Sequence, residues 1–555
     1  MRIMFRRFAG AASIAVALGA ASGSGAGPRF YADDPVWVER DHQDASQTRP
    51  WEINLVGEIV YALFGKPGDP ATNVRAKNVN SVDEVPDSSW FTNRIGRQPL
   101  TPDDVAKGPD TATGPASGTW TIISSKTDGI TPGFTIRDSA GQVWFLKFDP
   151  PGYRAMATGT EVLVTKLFWA VGYHVPESYI AYLKPDELVV SDATRFTPVG
   201  GKPRRMERSD VADLLQRADR EADGSYRVIA GKALPKIGEF RFYGTHPDDP
   251  NDIIAHEHRR ELRGLRVFSA WVNQVDTKGK NTLDALIMEN GRGFIRHYLQ
   301  DFSSALGSAS VRPHAEWEGS EYLAEPGQSI RQVIGFGFRF PPWLGDQFYE
   351  SPSVGRLLED NSSFDPEAWK PRVPNPAFER ARADDKFWAA QKLVAITDDM
   401  LRAAVRTGAF GDPESEQFLV KALGERRDAI ARAYLPSVNP VASPSLESDV
   451  LTFENVAVAR GFAKPPTAYR VAWFTFDNAT GESRPITEAT PADARVPAPP
   501  GLPTSAGAFI KVEVSATGAD PSWEKPVHVY FQRQAERWKL VGFERLPDVP
   551  SDSAS

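Results

Sequence analysis

"WVNQVDTKGKNTL", residues 271–283, begins as the apolar face of a helix and then sets Asp276, Lys278 and Asn281 within six positions. Packing alone does not call for an acid, a base and an amide beside the large apolar Trp271 and Val272. Upstream, "EHRRELRGLRVFSAWVNQV" places Leu262, Leu265, Phe268, Val272 and Val275 at spacings of three and four, which predicts an amphipathic helix aimed at a core. Downstream, "NTLDALIME" and "GFIRHYLQDF" flank "NGRG", whose Asn-Gly dipeptide predicts a tight hairpin. The polar cluster is therefore expected in the loop that joins helix to hairpin.

Further toward the amino terminus, "GTWTIISS" and "GFTIRDSAGQVWFLKFD" alternate apolar and polar residues, predicting strands with an antiparallel turn at Ser139 to Gly141. Lys147 falls on the last of these strands. In "TGTEVLVTKLFWAVGYHVPE", Val164, Leu167, Phe168 and Val171 share a face, Gly172 marks a stop and Pro176 lies beyond it, so a helix is expected. Residues 385–435 read as helical, in "KFWAAQKLVAITDDMLRAAV" and "SEQFLVKALGERRDAIARAYL" separated by a Gly and Pro break. Residues 436–449, "PSVNPVASPSLESD", read as a linker, and the alternating runs within 450–550 as a small antiparallel β domain. Residues 27–115 are polar and turn-rich, with Trp51 to Phe64 as a helical stretch, and are expected to wrap on a later domain.

At 555 residues the chain is long enough for more than one domain. Its 64 basic and 72 acidic residues leave a net charge of -8, which gives no broad attraction to nucleic acid or anionic lipid. The absence of cysteine excludes disulfides, thiol nucleophiles and thiolate zinc sites. The opening "MRIMFRRFAGAASIAVALGAASGSGAG" runs from Arg2, Arg6 and Arg7 through an apolar stretch, Phe8 to Ala21, into small residues. Residues 1–26 are accordingly expected to be a signal peptide, the stretch being shorter than the roughly 20 residues that span a bilayer. An exported protein, periplasmic or extracellular and without a stable membrane span, is the expectation.

Strand lysine, helix glutamate, loop acid, amide five residues on, and an acid after a hairpin occur in that order as Lys147, Glu161, Asp276, Asn281 and Asp301. This order resembles the protein-kinase-like superfamily, whose catalytic loops keep the same step of five between base and metal-binding amide. "YLQDFSS" stands where D-F-G would, with Ser303 in place of the glycine. No His-Arg precedes Asp276, which makes the chain more similar to atypical members such as the HipA-like and CotH-like groups. The resemblance covers about residues 120–435 as scattered short motifs, and implies a kinase-like domain over 116–435. It implies an α+β fold, a bilobal kinase-like domain with a small antiparallel sheet lobe and a mainly helical lobe, followed by the antiparallel β domain. It implies Mg2+ and ATP as cofactors, a polyphosphate and its metal needing a cation and hard oxygen ligands. Lys147 would hold phosphates, Glu161 would orient it, Asn281 and Asp301 would bind metal, and Asp276 would take the acceptor's proton. "KTDGITPGF" would approach the phosphates through Gly129 and Gly133, although it departs from G-x-G-x-x-G.

Plainer readings compete at each position. Lys147 is compatible with an exposed strand lysine, Asn281 with a turn residue, Asp276 with a helix end, and Thr158 to Glu161 with a capping box. "HEHRRE" would need a histidine where Arg260 stands to be a zinc-protease motif. "HPDDPNDII" lacks the ligand spacing of a calcium loop and reads as solvated, and His297 reads as a packed strand histidine. Because little ATP is expected beyond a bacterial inner membrane, an inactive kinase-like binding protein of the cell envelope stands as the alternative. A glycan-binding protein and a hydrolase using Asp276 with Asp301 are further readings.

Overall fold

The structure is a computed structural model describing residues 27–125, 133–198, 201–324 and 342–547. The expected signal peptide, Gly129 and most of "KTDGITPGF" and "GFGFRFPPW" lie outside the described residues. Alternation in the first strand-like runs is resolved into β1 (Trp120–Ser125), β2 (Gly133–Arg137) and β3 (Val143–Phe148). Asp138 closes the β2–β3 turn by accepting from the N–H groups of Ala140 and Gln142 at 3.0 and 2.9 Å. With β4 (Ser178–Leu183), β5 (Leu188–Val190) and β8 (Tyr226–Lys232) these strands form one sheet in the order β4-β8-β3-β2-β1-β5, the short β6 (Arg195–Phe196) and β7 (Arg204–Arg205) pairing separately. Its two faces follow from the strand period of two. Phe134, Ile136, Trp144, Leu146, Phe148, Val228 and Ala230 pack into a core on one side. Thr135, Phe145, Lys147, Ile229 and Gly231 look into a cleft on the other.

Helices α1 (Leu55–Phe64) and α2 (Pro102–Lys107) precede the sheet, and α3 (Met156–Val171) follows β3. The capping box that stood as the plainer reading of Thr158 to Glu161 is replaced by another cap. Helix α3 starts two residues before Thr158, and Asp149, just past β3, accepts from the N–H groups of Ala155, Ala157 and Thr158 at 2.9 Å each. An anion at that end is favoured by the helix dipole, and it frees Glu161 for other work. After α4 (Arg208–Leu215) and the short β9 (Lys236–Gly238) comes α5 (Arg260–Trp271), the helix read from the opening motif. It is buried all round, and its Arg260 is compensated by Asp83, Asp384 and Asp385 within 3.1 Å.

The hairpin forms as β10 (Thr282–Glu289) and β11 (Arg292–Leu299), with Asn290 and Gly291 both at positive φ, as a two-residue turn of this hand requires. The pair β12 (Phe348–Ser351) and β13 (Gly355–Leu358) and the helices α6 (Pro376–Glu379), α7 (Ala383–Leu393), α8 (Asp398–Thr407) and α9 (Pro413–Tyr434) follow. The first expected helical run is thus two helices, because Thr397 caps a fresh start at Asp398. The expected linker also differs. Residues 441–447 within it form β14, paired with β15 (Val450–Asn455), and Asn439 is buried with its amide on the carbonyls of Val514 and Lys525. After α10 (Val456–Ala459), β16 (Ala468–Phe476), β17 (Ser483–Ala489), β19 (Phe509–Thr517), β20 (Val527–Gln534) and β21 (Arg537–Glu544) make a sheet ordered β17-β16-β19-β20-β21. The short β18 (Arg495–Pro497) joins β15 instead.

The fold is therefore mixed α/β with several antiparallel sheets. Segment 27–115 packs into the later part of the chain: Val85, Trp90 and Phe91 are buried in the same apolar cluster as Phe268 and Trp271 of α5. Each such side chain contributes on the order of 2 kcal/mol. "HPDDPNDII" is not solvated as expected, since Asp252 is buried and accepts from the His246 N–H at 2.7 Å beside the His256 imidazole at 2.7 Å. His297 packs as read, stacked 3.6 Å from Trp90 with Nδ1 2.7 Å from Asp284. No helix among the described residues is long and apolar enough to cross a membrane.

Candidate functional site

The cleft beneath the first sheet has a volume of about 500 Å³ and is lined by Lys147, Glu161 and Asp301 together with Phe145, Leu283 and Gln300. Strand β3 turns Lys147 toward it, and the Nζ lies 2.8 Å from Asp301 Oδ1 and 3.4 Å from Glu161 Oε2. Burial disfavours charge on Lys147, but the Asp301 and Glu161 carboxylates outweigh it and hold the ammonium above its usual range. Glu161 is pushed up, by burial first, with Lys147 opposing and Asp301 adding to the rise. Its side chain is 8% exposed and that of Asp301 36%, so Asp301 is the carboxylate that a ligand in the cleft reaches.

Asp301 occupies the left-handed region, φ 63°, a conformation that Asp tolerates better than most residues. This bend ends the run of β11 and starts the short helical turn Phe302–Ser304. Phe302 is buried 4.7 Å from the ring of Phe168 on α3, which ties the turn to the helix that carries Glu161. Ser303, the residue that departs from D-F-G, donates its hydroxyl to Asp301 Oδ1 at 2.9 Å.

The opening motif forms the loop next to this turn. Gln274 donates its side-chain amide to the carbonyl of Asp301 at 3.1 Å, and Gln300 N–H donates to the carbonyl of Asn281 at 3.1 Å. Asn281 donates its Nδ2 to the carbonyl of Asp276 at 2.8 Å, leaving Oδ1 without a hydrogen bond among the described residues. Lys278 Nζ sits 2.8 Å from both oxygens of Asp276, with Arg372 beyond at 3.9 Å. Two outside elements hold the loop. Arg426 of α9, whose guanidinium burial pulls down to about 9, donates to the carbonyls of Ala270 and Trp271 at the end of α5. Glu58 of α1 accepts from the Gly279 N–H at 2.6 Å. A Cβ on Gly279 would meet Ile53 Cδ1 at 2.6 Å and the Phe240 carbonyl at 2.8 Å, so glycine is required there.

Of the residues expected at the site, Lys147, Glu161 and Asp301 are in direct contact, and Asp276 and Asn281 share the adjoining loop. Gly133 opens β2 directly opposite Lys147. Gly129 lies outside the described residues. Among the described residues no three His, Asp or Glu side chains converge as a metal cage. Asp301 lines the cleft and offers a hard carboxylate oxygen of the kind Mg2+ takes, whereas Asp276 and Asn281 are not among the residues that line it. Sequence reading missed Lys278 as the partner of Asp276, and Phe145 and Leu283 as cleft walls. The period of two that sends Lys147 into the cleft sends Phe145 there also, which is the signal that was available. It also missed Lys236, Glu239 and Lys280, for which spacing offers no signal.

No family model and no curated protein matches the sequence. Solved structures do. The chain is similar to the Helicobacter pylori proinflammatory kinase CtkA, at 11% identity over 57% of this chain and 97% of that one, with a TM-score of 0.28. It is also similar to the Golgi casein kinase, at 10% identity over 73% of this chain and 94% of that one, with a TM-score of 0.30. A structure of the Golgi casein kinase with Mn/ADP bound matches at 10% identity over 71% and 95%, with a TM-score of 0.27. Likeness of this degree assigns no activity to the present chain.

Proposed function

We propose that this chain is an atypical kinase-like phosphotransferase that uses Mg2+ and ATP and acts outside the cytoplasm. In this reading residues 116–435 form a bilobal kinase-like domain of the HipA-like or CotH-like kind, with the first sheet and α3 as its small lobe. The observation that carries it is the contact of Lys147 with both Glu161 and Asp301, three residues from separate parts of the chain, next to the loop that contains Asp276 and Asn281 and is bonded to the Asp301 turn through Gln274.

Lys147 neutralises phosphate oxygens, and Glu161, buried behind it, keeps the ammonium charged and directed into the cleft. Asp301 and Asn281 would hold the metal, which when bound offsets the charge of the phosphates. Asp276 accepts the proton of an acceptor hydroxyl as its oxygen forms a bond to the γ-phosphorus. The bond from that phosphorus to the β–γ bridging oxygen breaks, and the nucleoside diphosphate leaves. Lys278, paired to Asp276, would sit beside the transferring group. Phe145 and Leu283 offer apolar walls for the base.

A specific contact supports a second reading, an inactive binding protein of the envelope: both oxygens of Asp276 are occupied by Lys278. Transfer of labelled γ-phosphate by wild type and Asp276→Asn separates the two. The kinase reading expects metal-dependent labelling of the protein or an added acceptor, lost in Asp276→Asn while nucleotide binding persists. Nucleotide binding without labelling in wild type would favour the second reading.

A further inference from the structure

A second cavity, of about 540 Å³, shares no lining residue with the cleft beneath the first sheet. Its volume is that of a small-molecule site. Asn273, just past α5, meets there the 314–321 turn, the β12–β13 pair and the 360–370 loop. Among the described residues that line it, six are carboxylates and three are cations, a balance that turns anions away. Several of these acids have lone pairs to spare. Glu316 is 49% exposed, with the Arg356 guanidinium 4.0 Å away. Glu321 accepts the Trp343 indole N–H on one oxygen at 3.0 Å, which fixes that ring in the wall. At the rim, burial pushes the Asp346 carboxyl up, with no cation among the described residues to oppose it. An ionised carboxylate only accepts, so a ligand for this cavity must bring donors.

One group in the wall is of the opposite kind. His314 lines the cavity at 2% exposure, and its Nε2 has no hydrogen-bond partner among the described residues. Its neighbours fix the tautomer. The Trp369 indole N–H can only donate, and it donates to Asn273 Oδ1 at 2.9 Å, so the amide is oriented with Nδ2 toward His314 Nδ1 at 3.2 Å. Nδ1 is therefore the acceptor. Burial pulls the imidazole down to about 4 and keeps it neutral, so the proton sits on Nε2, a donor without an acceptor. An ammonium ligand would satisfy the carboxylates and leave this N–H unpaired, whereas a hydroxyl both donates and accepts. We propose that the cavity binds a short neutral saccharide, whose hydroxyls donate to Glu316, Glu321 and Asp346 and accept from His314 Nε2 while the C–H face of one ring rests on Trp343. The negative face of an indole meets the slightly positive hydrogens of such a ring. This site does not depend on phosphate transfer in the first cleft.

The test titrates the full chain, without nucleotide, with neutral trisaccharides of glucose, galactose, mannose and N-acetylglucosamine, using spermidine as the cationic control and sialyllactose as the anionic one. At least one neutral sugar is expected to saturate a single site per chain at millimolar concentration, ahead of both controls. Trp343→Ala, at a half-buried position, should weaken that binding at least ten-fold, and Trp343→Phe should recover most of it. His314→Phe keeps a ring in the wall and removes the N–H, and should weaken binding about ten-fold, the scale of one lost hydrogen bond. Asp346→Ala, at the exposed rim, should weaken it several-fold and supplies the second reading where His314→Phe fails to fold. Absence of binding by every neutral sugar overturns the inference. Tighter binding of spermidine than of any sugar does so too. A sugar affinity unchanged in both Trp343→Ala and Asp346→Ala would move its site elsewhere on the chain, and equally overturns it.

Discussion

Asn281 donates its side-chain amide to the main-chain carbonyl of Asp276 at 2.8 Å, so the two residues of the opening motif are locked into one loop geometry. The bond orients the amide: Nδ2 is committed to the loop, and Oδ1 is the atom that the proposed function assigns to the metal. Replacing Asn281 by alanine removes both functions. Asn281→Ala is expected to lower the rate of phosphate transfer by about 100-fold, the scale of losing one charge-stabilising contact in a catalytic centre. Initial rates at saturating nucleotide check this, and a loss below about three-fold would separate Asn281 from the chemistry.

Lys147→Ala has two expected effects. It removes the cation that meets phosphate oxygens and leaves Glu161 and Asp301 with no charge between them. Nucleotide affinity should weaken at least ten-fold. Stability should fall by about 1–3 kcal/mol, the range for a lost hydrogen bond between charged partners at a partly exposed site. Lys147→Arg keeps the charge but not the compact ammonium geometry, and should restore stability more fully than binding. Nucleotide titration and denaturant unfolding of the two variants measure these effects.

Arg426 acts on the site from behind. It is buried, donates to the carbonyls of Trp271 and Ala270 and to Asn361, and ends the helix that leads into the Asp276 loop. Arg426→Met leaves these acceptors unpaired. A loss of about 3 kcal/mol or more is expected, since each buried unsatisfied group costs about 1–3 kcal/mol. A variant as stable as wild type would show that α5 needs no such cap.

Stability should also depend on pH through two buried imidazoles. Burial, with Arg296 and Arg94 adding, pulls His174 from 6.5 down to about 3. Burial, with Arg372 and Arg312 adding against Glu318, pulls His314 from 6.5 down to about 4. Below pH 6.5 the unfolded chain takes up protons that the folded protein refuses. The contribution is therefore complete above pH 6.5 and is lost as pH falls toward 4 for His314 and toward 3 for His174, at about 1.4 kcal/mol per pH unit for each group. His174→Gln should flatten the fall in unfolding free energy between pH 6.5 and 4.5. An undiminished slope would assign it to other groups.

Local periodicity carried the readable part of the fold. The period of two revealed β2, β3, β10 and β11, the spacing of three and four revealed α5, and Asn290-Gly291 revealed the hairpin turn, because each signal is complete within a short window. Caps supplied from a distance were hidden. Thr158 looks like an N-cap until Asp149, nine residues earlier, takes its place. The 436–449 stretch has the composition of a linker, yet its strand β14 exists because β15 supplies hydrogen bonds and an apolar face. At the site, Lys147, Glu161 and Asp301 were legible through their order and type. The Lys236–Glu239–Lys280 cluster was not, since it is assembled by the pairing of β9 with β10 and by no regular spacing.

The central claim is that Lys147, Asp301 and Asn281 grip a metal-bound polyphosphate in one cleft. Calorimetric titration of Mg2+-ATP into wild type and Asp301→Ala tests it most directly. The account predicts saturable heat at one site per chain in wild type, abolished by chelating the metal and weakened at least ten-fold in Asp301→Ala. Absence of heat in both proteins, or the same affinity in both, would contradict it.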